Sequence, residues 1–174
     1  MATMVLDPHT PELDALKERR RISELDRLDE VWDGVLHMVP APNDGHADLA
    51  QQLAILLNAP ARAAGLWPTM HEFNLGDSIE NYRVPDGGLH RERYWGTWEH
   101  TAPLVVEIVS PSDETWLKLP HYAAHEVDEV LILDPAERSV HWLGLTPEGE
   151  YRPIERSNAI DLGRDELAER IDWP

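Results

Sequence analysis

Residues 104 to 122 read LVVEIVSPSDETWLKLPHY, and the rest of the chain is organised around this stretch. Residues 104–109 form a mostly β-branched apolar run between Pro103 and Pro111, a pattern typical of a strand buried on both faces. Glu107 lies in the middle of that run. A buried carboxylate is costly unless it is paired, hydrogen-bonded or bound to a metal ion. The strand alone therefore leaves two interpretations open: Glu107 pairs with an arginine or is protonated, or it belongs to a functional site.

Length and composition indicate one globular domain. The chain has 174 residues, of which 42% are hydrophobic and 28% charged, close to the averages for globular proteins. It has no cysteine, which excludes disulfide frameworks, thiol catalysis and thiolate metal sites. Residues 1–10 lack the apolar core of a signal peptide, and no segment approaches the roughly 18 apolar residues of a membrane span. We therefore expect a cytoplasmic protein that does not contact a membrane.

The charge balance limits how the protein can bind nucleic acid. Acidic residues number 33 and basic residues 15, so the formal net charge is −18, and the only lysines are Lys17 and Lys118. Non-specific binding to nucleic acid depends on neutralising phosphates with basic side chains, and this composition argues against a broad basic face. Any contacts with phosphate must be local. The available basic residues are Arg83, Arg91, Arg93 and Lys118, with a separate run at 19–21.

The N-terminal half is predicted to contain a helix, a hairpin and a second helix. Residues 11–28 have the spacing of an amphipathic helix, continuous or broken, so we assign residues 1–28 to a helical extension and residues 29–174 to a single domain. Asp33-Gly34 predicts a type I′ turn between strands at 30–32 and 35–39. Asn43 or Asp44 is expected to cap a helix that runs from about His46 towards Gly65, with a kink or an early end at Pro60. Its apolar stripe is Leu49, Leu53, Leu56 and Leu57.

The remaining segments complete a predicted α/β (α+β) fold. We expect a strand at 69–75, a short strand from 81, a loop at 90–102 and strands at 104–109 and 129–133. Ser112 or Asp113 is expected to cap a helix that begins there or only near Leu119, with Thr115, Lys118, Tyr122 and His125 on one face. A hairpin at 139–155 and a helix at 163–171 end the chain. This order predicts one mixed central β-sheet flanked by helices, with an N-terminal and a C-terminal β-hairpin.

Asp86 becomes a candidate site residue when it is considered together with Glu107. Alone, the sequence Pro85-Asp86-Gly87 is ordinary turn chemistry. In the predicted order, however, Asp86 lies on the strand before the one that contains Glu107, and adjacent strands can bring their carboxylates within several ångströms. Paired carboxylates provide the hard oxygen ligands that Mg²⁺ or Mn²⁺ requires, and a lysine close by completes a phosphodiesterase site.

These residues carry a resemblance to a known family. The segments VPDGG and LVVEIVSPSDETWLKLPHYAAHEVDEVLILDP, preceded by WDGVLHMVPAP and a helix starting at His46, resemble the bacterial "putative restriction endonuclease" family of Uma type. That family belongs to the PD-(D/E)xK nuclease superfamily, whose core is the restriction-endonuclease-like fold. The resemblance covers residues 32–145.

The resemblance implies a metal-dependent endonuclease and assigns its site residues. Asp86 and Glu107, with the backbone carbonyl of Ile108, would hold Mg²⁺ or Mn²⁺, and Lys118 would be the catalytic lysine. His46 and Tyr122 are second-rank candidates, since His46 could merely cover a helix end and Tyr122 could merely pack. The implied substrate is nucleic acid, with DNA favoured over RNA.

The chain departs from the family pattern at two positions. The superfamily lysine usually lies two residues after the acidic residue, where this chain has Val109, so Lys118 must reach back into the site from the following helix. Other members have a glycine where this chain has Glu126.

A second function stays open from the sequence: a catalytically inactive, dimeric binding or scaffold protein that retains the nuclease fold. The net charge of −18 favours this alternative. The retained set of Asp86, Glu107 and Lys118 favours the nuclease. In either case the hairpin edges at 139–155 and the tryptophans Trp95 and Trp98 predict a homodimer.

Overall fold

The structure is a computed structural model that describes residues 4–6, 10–24, 26–93, 96–111 and 114–174. Within these residues it contains two six-stranded mixed sheets, four α-helices and a 3-10 helix. The predicted α/β (α+β) class is therefore confirmed. In chain order the elements are β1 (Met4–Leu6), α1 (Pro11–Ile22), β2 (Glu30–Trp32), β3 (Val35–Met38), α2 (Asp44–Ala63), β4 (Trp67–Thr69), β5 (Asn74–Ser78), β6 (Asn81–Arg83), β7 (Gly87–His90), β8 (Trp98–Glu99), β9 (Leu104–Ile108), the 3-10 helix (Thr115–Lys118), α3 (Leu119–Ala124), β10 (Glu129–Asp134), β11 (Ser139–Leu145), β12 (Tyr151–Pro153) and α4 (Arg164–Arg170).

The central sheet has the strand order β12-β11-β10-β9-β7-β4. Strands β9 and β10 are parallel and the other neighbours are antiparallel. Successive side chains of β9 point to opposite faces of this sheet. Leu104, Val106 and Ile108 pack in one core cluster with the leucines of α2, whereas Val105 packs with Tyr122 of α3 in another. The expectation that β9 is buried on both faces is confirmed, and Glu107 shares the face of Val105.

The N-terminal hairpin belongs to a second sheet, so the expectation of a single sheet was wrong. That sheet has the order β1-β3-β2-β6-β5-β8, because β2 pairs with β6 as well as with β3. The predicted hairpin itself is present. Asp33 and Gly34 have φ angles of 49° and 86°, as the type I′ turn between β2 and β3 requires. The practical consequence is that a second sheet, absent from the sequence prediction, can contribute residues to a site.

Helix α2 begins where the sequence predicted. The Asn43 side chain accepts a hydrogen bond from the backbone N–H of His46 at 2.9 Å, which caps the helix and places His46 in its first turn. Leu49, Leu53 and Leu57 are fully buried and hold the helix on the central sheet. Pro60 does not end the helix, which continues to Ala63. The helix therefore continues for one turn past Pro60 although Pro60 has no N–H to donate to the Leu56 carbonyl.

Two segments differ from the predicted boundaries. The single strand expected at 69–75 is wrong: β4 ends at Thr69 in the central sheet and β5 starts at Asn74 in the second sheet. After β9, the α-helix starts only at Leu119, one of the two expected positions, because Pro120 suits the first turn of a helix. The predicted caps Ser112 and Asp113 lie outside the described residues, as does Trp95.

Helix α1 packs on the second sheet, where Leu13 contacts a small cluster with Leu36 and Met38. The domain boundary predicted at residue 28 stays a prediction. Among the described residues, none of the helices is both long enough and apolar enough to cross a membrane.

Candidate active site

Glu107 is a buried carboxylate with two side-chain donors from the next helical segment. Only 2% of the residue is exposed. Lys118 Nζ lies 3.1 Å from each of its carboxylate oxygens, and the Tyr122 hydroxyl donates to Oε1. Lys118 ends the 3-10 helix and Tyr122 lies one turn further on in α3, so both side chains reach the same carboxylate. Because Val109 stands where the superfamily lysine usually lies, Lys118 was required to reach Glu107 from the following helical segment. In the structure it does so.

The protonation states of this group follow from burial and from neighbouring charges. Burial raises the pKa of Glu107 to about 8; the Asp86 and Glu30 carboxylates add to the rise, while the Lys118 ammonium opposes it. Burial also lowers the pKa of Lys118, but the carboxylates of Glu107 and Glu30 outweigh it, so the net direction is upward. Lys118 is therefore a cation at neutral pH. Burial raises the pKa of Tyr122 well above its ordinary value, which keeps its hydroxyl as a donor.

Asp86 is held at the beginning of β7 by the neighbouring strand and by α2. Gly87 pairs with Val106, and the Asp86 N–H donates to the Val106 carbonyl at 3.0 Å. One carboxylate oxygen, Oδ2, accepts from the N–H of Ile108 at 2.7 Å, and the other lies 3.0 Å from His46 Nε2. The position of Asp86 is thus fixed relative to the residue that follows Glu107.

Two glycines allow these strands to approach. A side chain at Gly87 would place its Cβ 2.7 Å from the Thr69 carbonyl oxygen, and one at Gly88 would lie 2.8 Å from that of Leu104. Contacts this short do not occur for real Cβ atoms. The two glycines after Asp86 are therefore required for β7 to fit between β4 and β9.

Glu30 is a third carboxylate of the site, and the sequence analysis missed it. It begins β2 in the second sheet and is 2% exposed. Its Oε1 lies 2.9 Å from Lys118 Nζ and accepts from the Val84 N–H at 2.9 Å, and its Oε2 accepts from Trp32 Nε1 at 2.6 Å. The only sequence signal was an acidic residue at the start of a predicted strand, which is too common to identify a site.

The three carboxylates, Lys118 and His46 line one pocket of about 280 Å³. Its lining includes Glu30, Asp86, Glu107, Lys118, His46 and Ser110. Among the described lining residues, Lys118 is the only lysine or arginine, whereas five are acidic: Glu30, Glu72, Asp86, Glu107 and Glu114. The predicted site residues that the structure brings together here are Asp86, Glu107, Ile108, Lys118 and His46, while Tyr122 lies behind Glu107 and is fully buried.

The arginines considered in the sequence analysis do not line this pocket. Arg83 is buried, lies over the Trp32 ring at 4.2 Å and donates to the Val31 carbonyl at 3.1 Å, so it supports the fold. Arg91 pairs with Asp128 at 2.6 Å. Contact with phosphate at the pocket would therefore rest on Lys118.

Comparison with known families identifies the chain. The model of the Uma2 family, described as "Putative restriction endonuclease", matches residues 13–169. The chain belongs to the Uma2 family. The resemblance seen in the sequence is thereby confirmed. No curated protein matches the chain.

A solved structure supports the fold of this Uma2 protein. A crystal structure of "a putative nuclease belonging to DUF820" from Anabaena variabilis superposes with a TM-score of 0.60 and 16% sequence identity. The match covers 82% of this chain and 90% of the other. At this identity the similarity establishes a shared fold, which is nuclease-like. The roles of individual side chains have to be argued from the site itself.

The backbone at Glu126, one of the two positions at which the chain departs from the family pattern, favours glycine. Glu126 follows α3 with φ of 53°, a left-handed backbone conformation that glycine adopts without steric cost. This Uma2 protein thus has a glutamate where the backbone favours glycine.

Proposed function

We propose that this Uma2 protein is a metal-dependent endonuclease that hydrolyses phosphodiester bonds in nucleic acid, with DNA favoured over RNA. The observation that carries the proposal is the convergence of Asp86, Glu107 and Lys118 on one pocket. These residues are distant in sequence, and the chain has only one other lysine. A structural salt bridge would need one carboxylate for this lysine, whereas Lys118 contacts two, Glu30 and Glu107, and five acidic residues line the pocket.

The donor set fits Mg²⁺ or Mn²⁺. Glu30, Asp86 and Glu107 supply hard oxygen atoms, and together they exceed the single positive charge of Lys118. A divalent cation would balance that excess. Each carboxylate can accept several hydrogen bonds or metal contacts, so the contacts that Asp86 and Glu107 make within the protein leave lone pairs for a metal ion. Asp86 and Glu107 are the proposed ligands, together with the carbonyl of Ile108.

The protein side chains would divide the chemistry among them. A bound divalent ion would polarise the scissile phosphate and lower the pKa of an attacking water. Lys118, held by Glu107 and Glu30, would orient that water or stabilise the negative charge of the pentavalent phosphorus. His46 would orient the Asp86 carboxylate through the 3.0 Å contact. Tyr122 would fix Glu107 by donating its hydroxyl proton in a hydrogen bond.

The proposed partners are nucleic acid and a second copy of the chain. With a net charge of −18, nucleic acid would be contacted locally around the pocket. The edge strand β12 and the half-exposed Trp98 are the surfaces on which we base a homodimer. Light scattering that gave a monomer mass over a wide concentration range would contradict it. A cytoplasmic location stays a prediction from the sequence.

The test is a cleavage assay with labelled single-stranded DNA, double-stranded DNA and RNA in low salt, with Mg²⁺, Mn²⁺ or EDTA. Low salt matters because a domain of this charge gains little from counterion release. We expect cleavage that requires the metal and falls by at least about 100-fold in Asp86→Ala, Glu107→Ala and Lys118→Ala. The matched control is Lys17→Ala on α1, which should cleave like the parent protein.

Metal binding separates the enzyme from the scaffold alternative. Asp86→Ala and Glu107→Ala should weaken Mn²⁺ binding, whereas Lys118→Ala should leave it unchanged or tighten it because a like charge is removed. Cleavage that persists in both carboxylate variants would come from a contaminating nuclease. A parent protein that neither cleaves nor binds metal would favour the inactive scaffold.

A further inference from the structure

A second group of metal-ligating side chains lies outside the pocket of the candidate active site. Asp77 belongs to β5, His100 directly follows β8, and His125 follows α3 as its C-cap residue. Because β5 and β8 are adjacent parallel strands, Asp77 and His100 lie at the same end of these two strands. One ligand atom from each of the three residues lies within 4.8 Å of the other two.

The separations in this cluster approach those of a tetrahedral metal site. His125 Nε2 lies 3.4 Å from one oxygen of Asp77, and His100 Nδ1 lies 2.5 Å from the other. In a tetrahedral zinc site with ligands at about 2.0–2.1 Å, neighbouring ligand atoms are about 3.4 Å apart. The pair formed by His125 and Asp77 already has this spacing. His100 instead forms a hydrogen bond with the other Asp77 oxygen, and because its ring is exposed it can move away from Asp77 to admit a metal ion.

The orientation of His125 is fixed in the way that metal-binding histidines commonly show. Its Nδ1 lies 2.9 Å from the backbone carbonyl of His121, and since a carbonyl can only accept, Nδ1 carries the proton. In the neutral ring, Nε2 therefore presents a lone pair to the Asp77 carboxylate. Two acceptors at 3.4 Å repel unless a proton or a metal ion lies between them. In metal sites, the second ring nitrogen of a ligating histidine usually donates a hydrogen bond to a carbonyl or carboxylate in the same way.

His121 supports the cluster from below without adding charge. Its Nε2 lies 2.9 Å from the Leu75 carbonyl, and its ring lies on that of His125 with centroids 4.1 Å apart. Burial lowers the pKa of His121 to about 4, so the ring is neutral at physiological pH and does not repel a cation bound next to it.

We propose that Asp77, His100 and His125 bind one Zn²⁺ or a similar divalent d-block cation, with water as the remaining ligand. Two imidazoles and one carboxylate suit zinc far better than Mg²⁺, which prefers oxygen ligands. The exposed positions of Asp77 and His100 leave room for that water. The metal would tie the end of α3 to the edge formed by β5 and β8. It would stabilise the helix that carries Tyr122, and it is independent of the proposed nuclease activity.

The test is a Zn²⁺ titration of the full-length protein after EDTA treatment. Binding is measured by calorimetry and, separately, by competition with a chromogenic chelator. We expect one equivalent bound by the double variant Asp86→Asn/Glu107→Gln, in which the pocket is disabled, and at least that one equivalent bound by the parent. Asp77→Asn and His100→Ala should each weaken binding at least about tenfold. Co²⁺ in the parent should give the visible absorption of a tetrahedral ion, and Zn²⁺ should raise Tm in the parent but not in His100→Ala.

The control variant is His71→Ala, which removes an exposed histidine outside the cluster and should bind Zn²⁺ like the parent. Asp77 and His100 are exposed, so their variants are expected to fold, and circular dichroism checks this. Equal Zn²⁺ affinity in the parent, Asp77→Asn and His100→Ala would overturn the proposal. Loss of Zn²⁺ binding only in the double pocket variant, or no binding by the parent, would overturn it as well.

Discussion

Replacing Glu107 by glutamine should change how the stability of the metal-free protein depends on pH. Below pH 4.5 the Glu107 carboxyl is protonated in both the folded and the unfolded chain, so it adds no pH dependence. Between pH 4.5 and about 8 the unfolded chain releases this proton while the folded protein keeps it. The contribution of Glu107 to the free energy of unfolding therefore falls as pH rises through this range and stops falling above it.

The size of the effect follows from the same two pKa values. Each pH unit between 4.5 and about 8 removes about 1.4 kcal/mol, so the folded protein loses up to about 5 kcal/mol across the range. The glutamine of Glu107→Gln cannot release a proton, so the variant lacks this contribution. The stability of the parent relative to Glu107→Gln should fall by that amount from pH 4.5 to 8.

The assay is urea unfolding of the parent and of Glu107→Gln in EDTA at several pH values from 4.5 to 9. The titrating groups that do not interact with Glu107 are common to both proteins and cancel in the difference, and Lys118 and Tyr122, whose pKa values are raised, keep their protons over this pH range. Glu148→Gln, which changes an exposed residue in the loop between β11 and β12, is the matched control, and its difference from the parent should not depend on pH. If the difference between the parent and Glu107→Gln also stays constant within about 1 kcal/mol, the reasoning about burial of Glu107 is refuted.

Three further measurements test the site and its supports. Binding of Mn²⁺ should release one proton, and its affinity should rise about tenfold per pH unit below pH 8, because the metal must displace the proton of Glu107. Calorimetry in buffers of different ionisation enthalpy measures the affinity and the number of protons released, and an affinity that does not depend on pH would contradict the prediction. Glu126→Gly should raise the free energy of unfolding by about 1 kcal/mol, since it relieves the left-handed backbone, while Glu126→Ala should give no gain in the same urea titration. Asn43→Ala should cost about 1 kcal/mol by removing the cap of the helix that places His46. An unchanged unfolding midpoint would show that the cap contributes nothing.

The sequence predicted those features that depend on short-range patterns. Asp33-Gly34 fixed the hairpin because few residues tolerate two successive positive φ angles. The buried run at β9 and the carboxylate within it indicated a site because the cost of burial requires an explanation. Asp86 could be placed beside Glu107 because β7 and β9 are neighbours in the sheet.

The contribution of the second sheet could not be predicted in this way. Glu30 lies 77 positions before Glu107, and both contact Lys118, which depends on how the second sheet packs beside the central one. The same is true of Asp77, His100 and His125, which come from three elements with no characteristic spacing. Alternation alone also failed at residues 70–73, where the chain passes from one sheet to the other. Tertiary packing decides such contacts, and a single sequence does not encode them in any local pattern.

The hydrogen bond from the Ile108 N–H to Asp86 has a consequence for how the pocket can vary. It holds Asp86 against β9, the strand that carries Glu107. The separation of the two carboxylates is therefore set by the distance of roughly 4.8 Å between neighbouring strands. Substitutions at the rim, such as at Pro42, Ser110 or Glu114, can then alter which molecules enter without changing that interval. Access to the pocket and the proposed binding of a metal ion are in this sense separable, and a library of substitutions confined to these positions could vary the first while leaving Asp86 and Glu107 in place.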